Sequence, residues 1–270
     1  VFSTLKPSVN LGNIMQTIPI LMYHSISHPV KNAPFKCLHL PPKRFALQMY
    51  LLKVLGYQGL SMRELTPYLL GQKHGKVVGI TFDDGYQNNL TNALPILKKY
   101  GFSATCYVVS GCVGSYNRWD EAKGIPKNPL MSFDELKQWI NSGMEVAAHT
   151  HQHVSLTHTD DQTAWQEIIQ SKQTLELNLG TKVKNFCYPY GHFDAKHTKM
   201  LEEAGFITAT AMYRGKVPVP TQGLTAPQLL TLPRVTINNN CYPHIFLLKL
   251  LTNYEDKKGQ KLKLKHANNT

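Results

Sequence analysis

The sequence predicts an α/β protein, most simply a (β/α) barrel. Three observations lead there. Strand and helix patterns alternate along the 270 residues, and the strands are short apolar runs such as VVGITF at 77–82. Polar, chemistry-bearing residues then follow directly on the C-terminal ends of several of these runs. Continuous apolar runs mark strands buried on both faces, hence a parallel sheet with helices outside it. In a barrel the C-terminal strand ends converge on one face, where catalytic groups gather. An open doubly wound sheet is the alternative, but no GxGxxG or Walker loop supports nucleotide binding.

Taken in order, PILMYHSI at 19–26 reads as a strand, and residues 42–55 have helical apolar spacing closed by Gly56. Ser61-x-x-Glu64 is a capping box that opens a short helix ending near Gly71. The strand at 77–82 leads to a helix through Tyr100, stopped by Gly101, and residues 104–109 form the next strand. Residues 111–129, rich in Gly, Pro and Asn, predict a long loop over a site. Ser132-x-x-Glu135 caps a helix ending at Gly143; a strand at 144–148 delivers His149, and a longer helix spans 160–179. Strands at 184–188, 206–212 and 232–237 follow, with a helix at 194–204, a Pro-rich loop at 216–227 and a last helix at 243–251.

The composition, 42% hydrophobic and 17% charged, suits a globular domain with a full core, and no apolar stretch is long enough for a membrane span. Five cysteines without a CxxC pair predict neither a disulfide framework nor a zinc cage, so they read as small buried hydrophobes. The net charge of +12 draws partly on lysines 257, 258, 261, 263 and 265, a basic tail that is either simply solvated or attracted to an anionic cell-envelope surface. No recognition motif points to nucleic acid. Because the chain opens on Val1, a removed signal peptide and a periplasmic or secreted location are expected. The expected organisation is an N-terminal extension (1–18), a catalytic domain (19–252) and the basic tail (253–270).

Two strings carry the chemistry. TFDDG at 81–85 sets Asp83 and Asp84 at the end of a buried strand, pointing to different sides of an extended segment. One can ligate a metal while the other faces a water. HTHQH at 149–153 supplies His149 and His153 at i and i+4, and with Asp84 they make three ligands that leave positions open, the layout of a catalytic zinc site. His151 faces elsewhere if the turn is helical.

These strings, with Leu156 after the second and FCYPYG at 186–191, resemble the three leading motifs of the NodB-type polysaccharide deacetylases, carbohydrate esterase family 4. PILMYHSI resembles the opening strand of the branch related to poly-N-acetylglucosamine deacetylases. The resemblance runs from about residue 19 to 237 and implies a distorted (β/α)7 barrel that removes acetyl groups from an amino-sugar polysaccharide. It makes Asp83 the general base and Asp84, His149 and His153 the ligands of one divalent metal, zinc. It places the groove motif at Tyr188, Pro189 and Tyr190, with the Tyr190 backbone N–H on the oxyanion.

Three departures stand out, one of them that residues 208–214, where a fourth motif is expected, lack its aspartate–tryptophan signature. Many members carry an arginine where this chain has Cys187, and Arg234, in LPRV, is the candidate replacement. The usual acid histidine near the last strand is absent, and His24, at the end of the first strand, is the candidate proton donor. Tyr23, Tyr188, Tyr190 and Trp119 are candidate stacking surfaces for sugar rings. The alternatives are an O-acetyl esterase acting on an acetylated glycan, and a degenerate glycan-binding barrel.

Overall fold

The structure is a computed structural model that describes residues 14–31 and 34–267. Its strands are β1 (Ile14–Ile18), β2 (Ile20–Tyr23), β3 (Gln58–Leu60), β4 (Val77–Phe82), β5 (Thr105–Val108), β6 (Glu145–Ala148), β7 (Asn185–Cys187), β8 (Thr208–Arg214), β9 (Val217–Pro220) and β10 (Leu232–Thr236). The helices are α1 (Pro42–Val54), α2 (Met62–Leu69), α3 (Leu94–Tyr100), α4 (Phe133–Asn141), α5 (Asp161–Leu179), α6 (Ala195–Glu203), α7 (Ala226–Leu229), α8 (Pro243–Leu251) and α9 (Tyr254–Ala267).

Parallel strands pair in the order β2-β10-β8-β7-β6-β5-β4, and β4 pairs back onto β2, closing a seven-stranded (β/α) barrel. The distortion lies at β4. Its first residues pair with β3 (Gln58↔Val77) and its last with β5 (Phe82↔Cys106), so the barrel splays at the start of β4 and β3 fills the gap.

Side chains along a strand alternate between faces, and two apolar clusters record that alternation. Val78, Ile80 and Phe82 pack outward with Phe45, Leu97 and Trp139 from the helices. Val77 belongs to the other cluster, with Tyr107, Ala147, Cys187 and Leu232 inside the barrel and Met62, Leu65 and Leu69 of α2 across its N-terminal mouth. Continuing the inward series by steps of two leads from Val77 to Asp83, from Ala147 to His149 and from Leu232 to Arg234. Strand parity thus carries the polar residues to the inner C-terminal rim.

The helix signals act as read. Ser61 accepts a bond from the Glu64 backbone N–H, and Ser132 with Glu135 forms a complete capping box. Gly101 and Gly180 end α3 and α5 in the left-handed conformation.

Several stretches differ from the sequence expectation, the short strand β3 among them. The Pro-rich loop at 216–227 contains β9 and the short α7, and residues expected as an extension supply β1, which pairs antiparallel with β9. The prolines of VPVP are tolerated because this two-stranded sheet is all edge. The lysine-rich stretch continues as helix α9, docked through Glu255. That carboxylate is fully buried and bonds Arg214 at 2.8 and 2.9 Å and Lys249 at 3.0 Å. Ile14 and Met15 aside, lysines 263 and 265 also lie among residues whose side chains are not described. All five cysteines are free thiols, four of them buried.

Candidate active site

At the C-terminal rim, Asp84, His149 and His153 are buried and offer ligand atoms within 4.8 Å of one another. Asp84 Oδ1 lies 3.5 Å from His149 Nε2 and 3.3 Å from His153 Nε2. The His149 Nδ1 sits 2.7 Å from the Cys187 carbonyl, which fixes a proton there and makes Nε2 the ring atom turned to the carboxylate. Three potential ligand atoms thus converge on one point. Burial disfavours a charged His149, yet the surrounding Cys187, Asp84 and Asp83 raise it well above its ordinary value. Burial holds His153 below its ordinary value. Burial also pushes the Asp84 carboxyl up, but contacts with both histidines more than reverse this and hold it well below the usual range. This donor set, two imidazoles and a carboxylate, fits a divalent cation of the zinc type.

The geometry of HTHQH is not the helical turn considered from its spacing. Residues 149–153 form a bend in which Thr150 (φ 59°) and His153 (φ 60°) are left-handed. Asp84 is also left-handed (φ 76°), a conformation Asp tolerates better than most residues. This rotation at the strand end is what turns Asp84 away from Asp83. The His151 side chain faces away from the cluster, with Nδ1 2.8 Å from Ser110 Oγ.

Asp83 has a different environment. Arg234, fully buried on β10, grips it with both arms: Nη1 to Oδ1 at 2.7 Å and Nη2 to Oδ2 at 2.8 Å. Arg234 also donates to Thr81 Oγ1 (3.2 Å), the Ala211 carbonyl (3.1 Å) and Cys187 Sγ (3.1 Å). Burial raises the Asp83 carboxyl, and the Arg234 guanidinium outweighs it, leaving it below the ordinary range. A second ligand-like group among the described residues, Asp83–His149–Cys187, is unsuited to a cation because this guanidinium already occupies it. Cys187 itself lies 3.7 Å from Asp83 Oδ2, so a small thiol stands where an arginine is common and leaves space for Arg234 to enter from β10.

His24 follows β2 and reaches the same rim, its Nε2 3.9 Å from Asp83 Oδ2. Its loop is held by two asparagines that the sequence did not single out: Asn88 accepts from the Ile26 N–H and Asn92 donates to the Ile26 carbonyl, both at 2.8 Å. No local pattern marks them, because their partner is 60-odd residues away in a different unit.

The aromatic candidates separate by burial. Tyr190 is exposed on the rim, left-handed at φ 59°, and its ring meets His153 edge-on at 4.9 Å. Gly191 follows at φ 71°, where any Cβ would run into the Met212 backbone. Trp119, on the long loop, stacks on His153 at 4.4 Å, and Lys123 of that loop lies 5.0 Å above the Tyr190 ring. Tyr188 and Tyr23 are core residues: Tyr188 is fully buried with its hydroxyl on the Leu230 carbonyl, and Tyr23 bonds Gln48. Pro189 is buried at the start of the Tyr190 turn.

The sequence pattern of the polysaccharide deacetylases matches residues 71–209, more than half of the chain. The chain belongs to this family. Within it, the chain is similar to YxkH of Bacillus subtilis, provisionally named a polysaccharide deacetylase, at 31% identity over 70% of this chain and 62% of YxkH. The chain therefore spans under two thirds of that relative. It is 25% identical to a poly-β-1,6-N-acetyl-D-glucosamine N-deacetylase of Staphylococcus aureus, over 83% of this chain and 75% of the other. Among solved structures, the Streptococcus pyogenes deacetylase PplD in complex with acetate superposes with a TM-score of 0.72 at 27% identity, covering 87% of this chain and 98% of that one. This deacetylase family member is thus of the NodB type, near the poly-N-acetylglucosamine deacetylase branch, as its motifs suggested. Among the described residues no helix is long and apolar enough to cross a membrane.

Proposed function

We propose that this protein is a metal-dependent deacetylase that hydrolyses the N-acetyl group of N-acetylhexosamine units in a secreted or cell-envelope polysaccharide. The observation that carries the reading is one juxtaposition: a buried Asp84–His149–His153 ligand pocket beside Asp83, whose carboxylate is held by Arg234. A divalent ion in that pocket, zinc by its donor set, would polarise the acetyl carbonyl and acidify a water.

The remaining work falls to the chain's own groups. Asp83, ionised at neutral pH, takes the proton of the attacking water, and Arg234 keeps its oxygens in register. The Tyr190 N–H donates to the oxyanion that develops on the acetyl oxygen. As the C–N bond breaks, His24 gives a proton to the departing sugar amine. Trp119 and Tyr190 wall the opening with aromatic faces suited to a sugar ring. The name of the S. aureus relative supports the amide of an N-acetylglucosamine polymer over an O-acetyl ester.

The test is acetate release from N-acetylated β-1,6-glucosamine oligomers and from acetylated xylan, using native, chelator-stripped and zinc-restored protein together with Asp83→Asn. Expected are release from the amide substrate, its loss on stripping and recovery with zinc, and a drop of about 10²-fold or more in Asp83→Asn with metal still bound. Full activity after stripping, or in Asp83→Asn, would overturn the mechanism, and preference for xylan would move the substrate to O-acetyl esters.

A further inference from the structure

The strained turn that carries the two histidine ligands has an anchor outside the site. Thr150 and His153 are left-handed, a conformation that side chains beyond glycine hold only where their surroundings enforce it. Glycine cannot relieve this at His153, since the residue must carry an imidazole. One side of the turn is held by the loop after β5: the Gly111 N–H donates to the His151 carbonyl at 2.8 Å, and the Ser110 N–H to the Thr150 carbonyl at 3.3 Å. The other side is held by a single carboxylate. Glu167, buried on the second turn of α5, accepts the backbone N–H of His151 at 2.8 Å and of Gln152 at 2.7 Å, both on Oε2.

These two N–H groups lie between His149 and His153 in the chain. The two successive amides converge on one side-chain oxygen, which holds both of them in a concave nest. Acting through the backbone, Glu167 sets the distance and angle between the two imidazoles.

We propose that Glu167 is the positioning residue of the metal-ligand turn, holding His149 and His153 ready to share one cation before the cation arrives. The proposal rests on the metal reading above. Without its carboxylate, the amides of His151 and Gln152 lose a buried acceptor, the left-handed residues relax, and the two Nε2 atoms no longer meet at one point.

The test is zinc affinity, measured by competition with a chromophoric chelator on metal-stripped protein whose fold is checked by circular dichroism and a cooperative melt. Native protein is measured first; if it binds no zinc, the metal reading itself fails. Expected is a loss of about 10–100-fold in affinity for Glu167→Ala, the range of other groups that orient ligands. Glu167→Gln, whose carbonyl oxygen can accept both amides, should stay within about threefold to fivefold of native. If Glu167→Ala does not fold, Glu167→Asp, one methylene short of the turn, replaces it with the same expected loss. A folded Ala or Asp variant with native zinc affinity would overturn the proposal, because a merely structural Glu167 would change the melt and not the affinity. A Gln variant as weak as Ala would overturn it too, since it would make charge rather than position the cause.

Discussion

Arg234→Met tests how Asp83 is kept ready. In the folded protein both partners are buried, and the guanidinium makes two parallel bonds of 2.7 and 2.8 Å to the carboxylate. Methionine fills much of the same volume but leaves a buried carboxylate without its cation. Breaking a buried pair from one side costs about 3–5 kcal/mol. For a domain of this size that is a fall in melting temperature on the order of 10 °C. The sign of the pH effect follows from the same contact. Asp83 is held below its ordinary value by Arg234, so the pair stabilises the fold above the unfolded carboxyl's pKa of about 4 and loses that contribution as pH falls through the lower folded value. With Arg234 gone, burial dominates and raises Asp83, so the acid limb of the kcat/KM profile should move to higher pH. Thermal melts of metal-free protein and acetate-release profiles measure the two effects. The double variant Arg234→Met with Asp83→Asn should be less destabilised than the sum of the singles, because it leaves no orphaned charge. Additive losses, or a single variant that melts like native protein with an unmoved acid limb, would refute the reasoning.

Two further outcomes are expected. His24→Ala should lower kcat by about 10²-fold or more if its imidazole protonates the leaving amine, with the loss concentrated on substrates that have a basic leaving group; a change of only a few-fold assigns the proton to another donor. Glu255→Ala should cost about 3–5 kcal/mol in chemical denaturation, since Lys249 is buried and both it and Arg214 lose their carboxylate; a cost under 1 kcal/mol would show α9 to be undocked in solution.

Much of the site was readable because its residues cluster at strand ends. TFDDG and HTHQH each concentrate their ligands within five residues, and the buried strand before each reports its depth. Arg234 was reachable by a different route, as the nearest strand-end guanidinium able to replace the arginine missing at Cys187. Other features left no local signal. Glu167 looks like any polar residue of an amphipathic helix, and its importance lies in two backbone amides 15 and 16 residues away. Asn88 and Asn92 hold the His24 loop from a helix 62 and 66 residues further on. The aromatic residues of FCYPYG could not be sorted by type, since Tyr188 and Tyr190 stand two positions apart and only the left-handed turn at Tyr190 sends one to the rim and leaves the other in the core.

The amino-acid sequence by itself determined the alternation of strands and helices, the caps that begin and end them, and the residues able to ligate a metal or accept a proton. Those properties depend on neighbours within a few positions, where hydrophobic period and hydrogen-bonding capacity act directly. Only the tertiary structure supplied the contacts behind the division the motifs had suggested, with Asp83 gripped by Arg234 and Asp84 facing the histidines. That division comes from closing seven strands into a barrel, with inward and outward faces set by parity and the Asp84 backbone rotated into the left-handed region. It follows from contacts between residues as far apart as 151 positions, whose meeting no local pattern encodes.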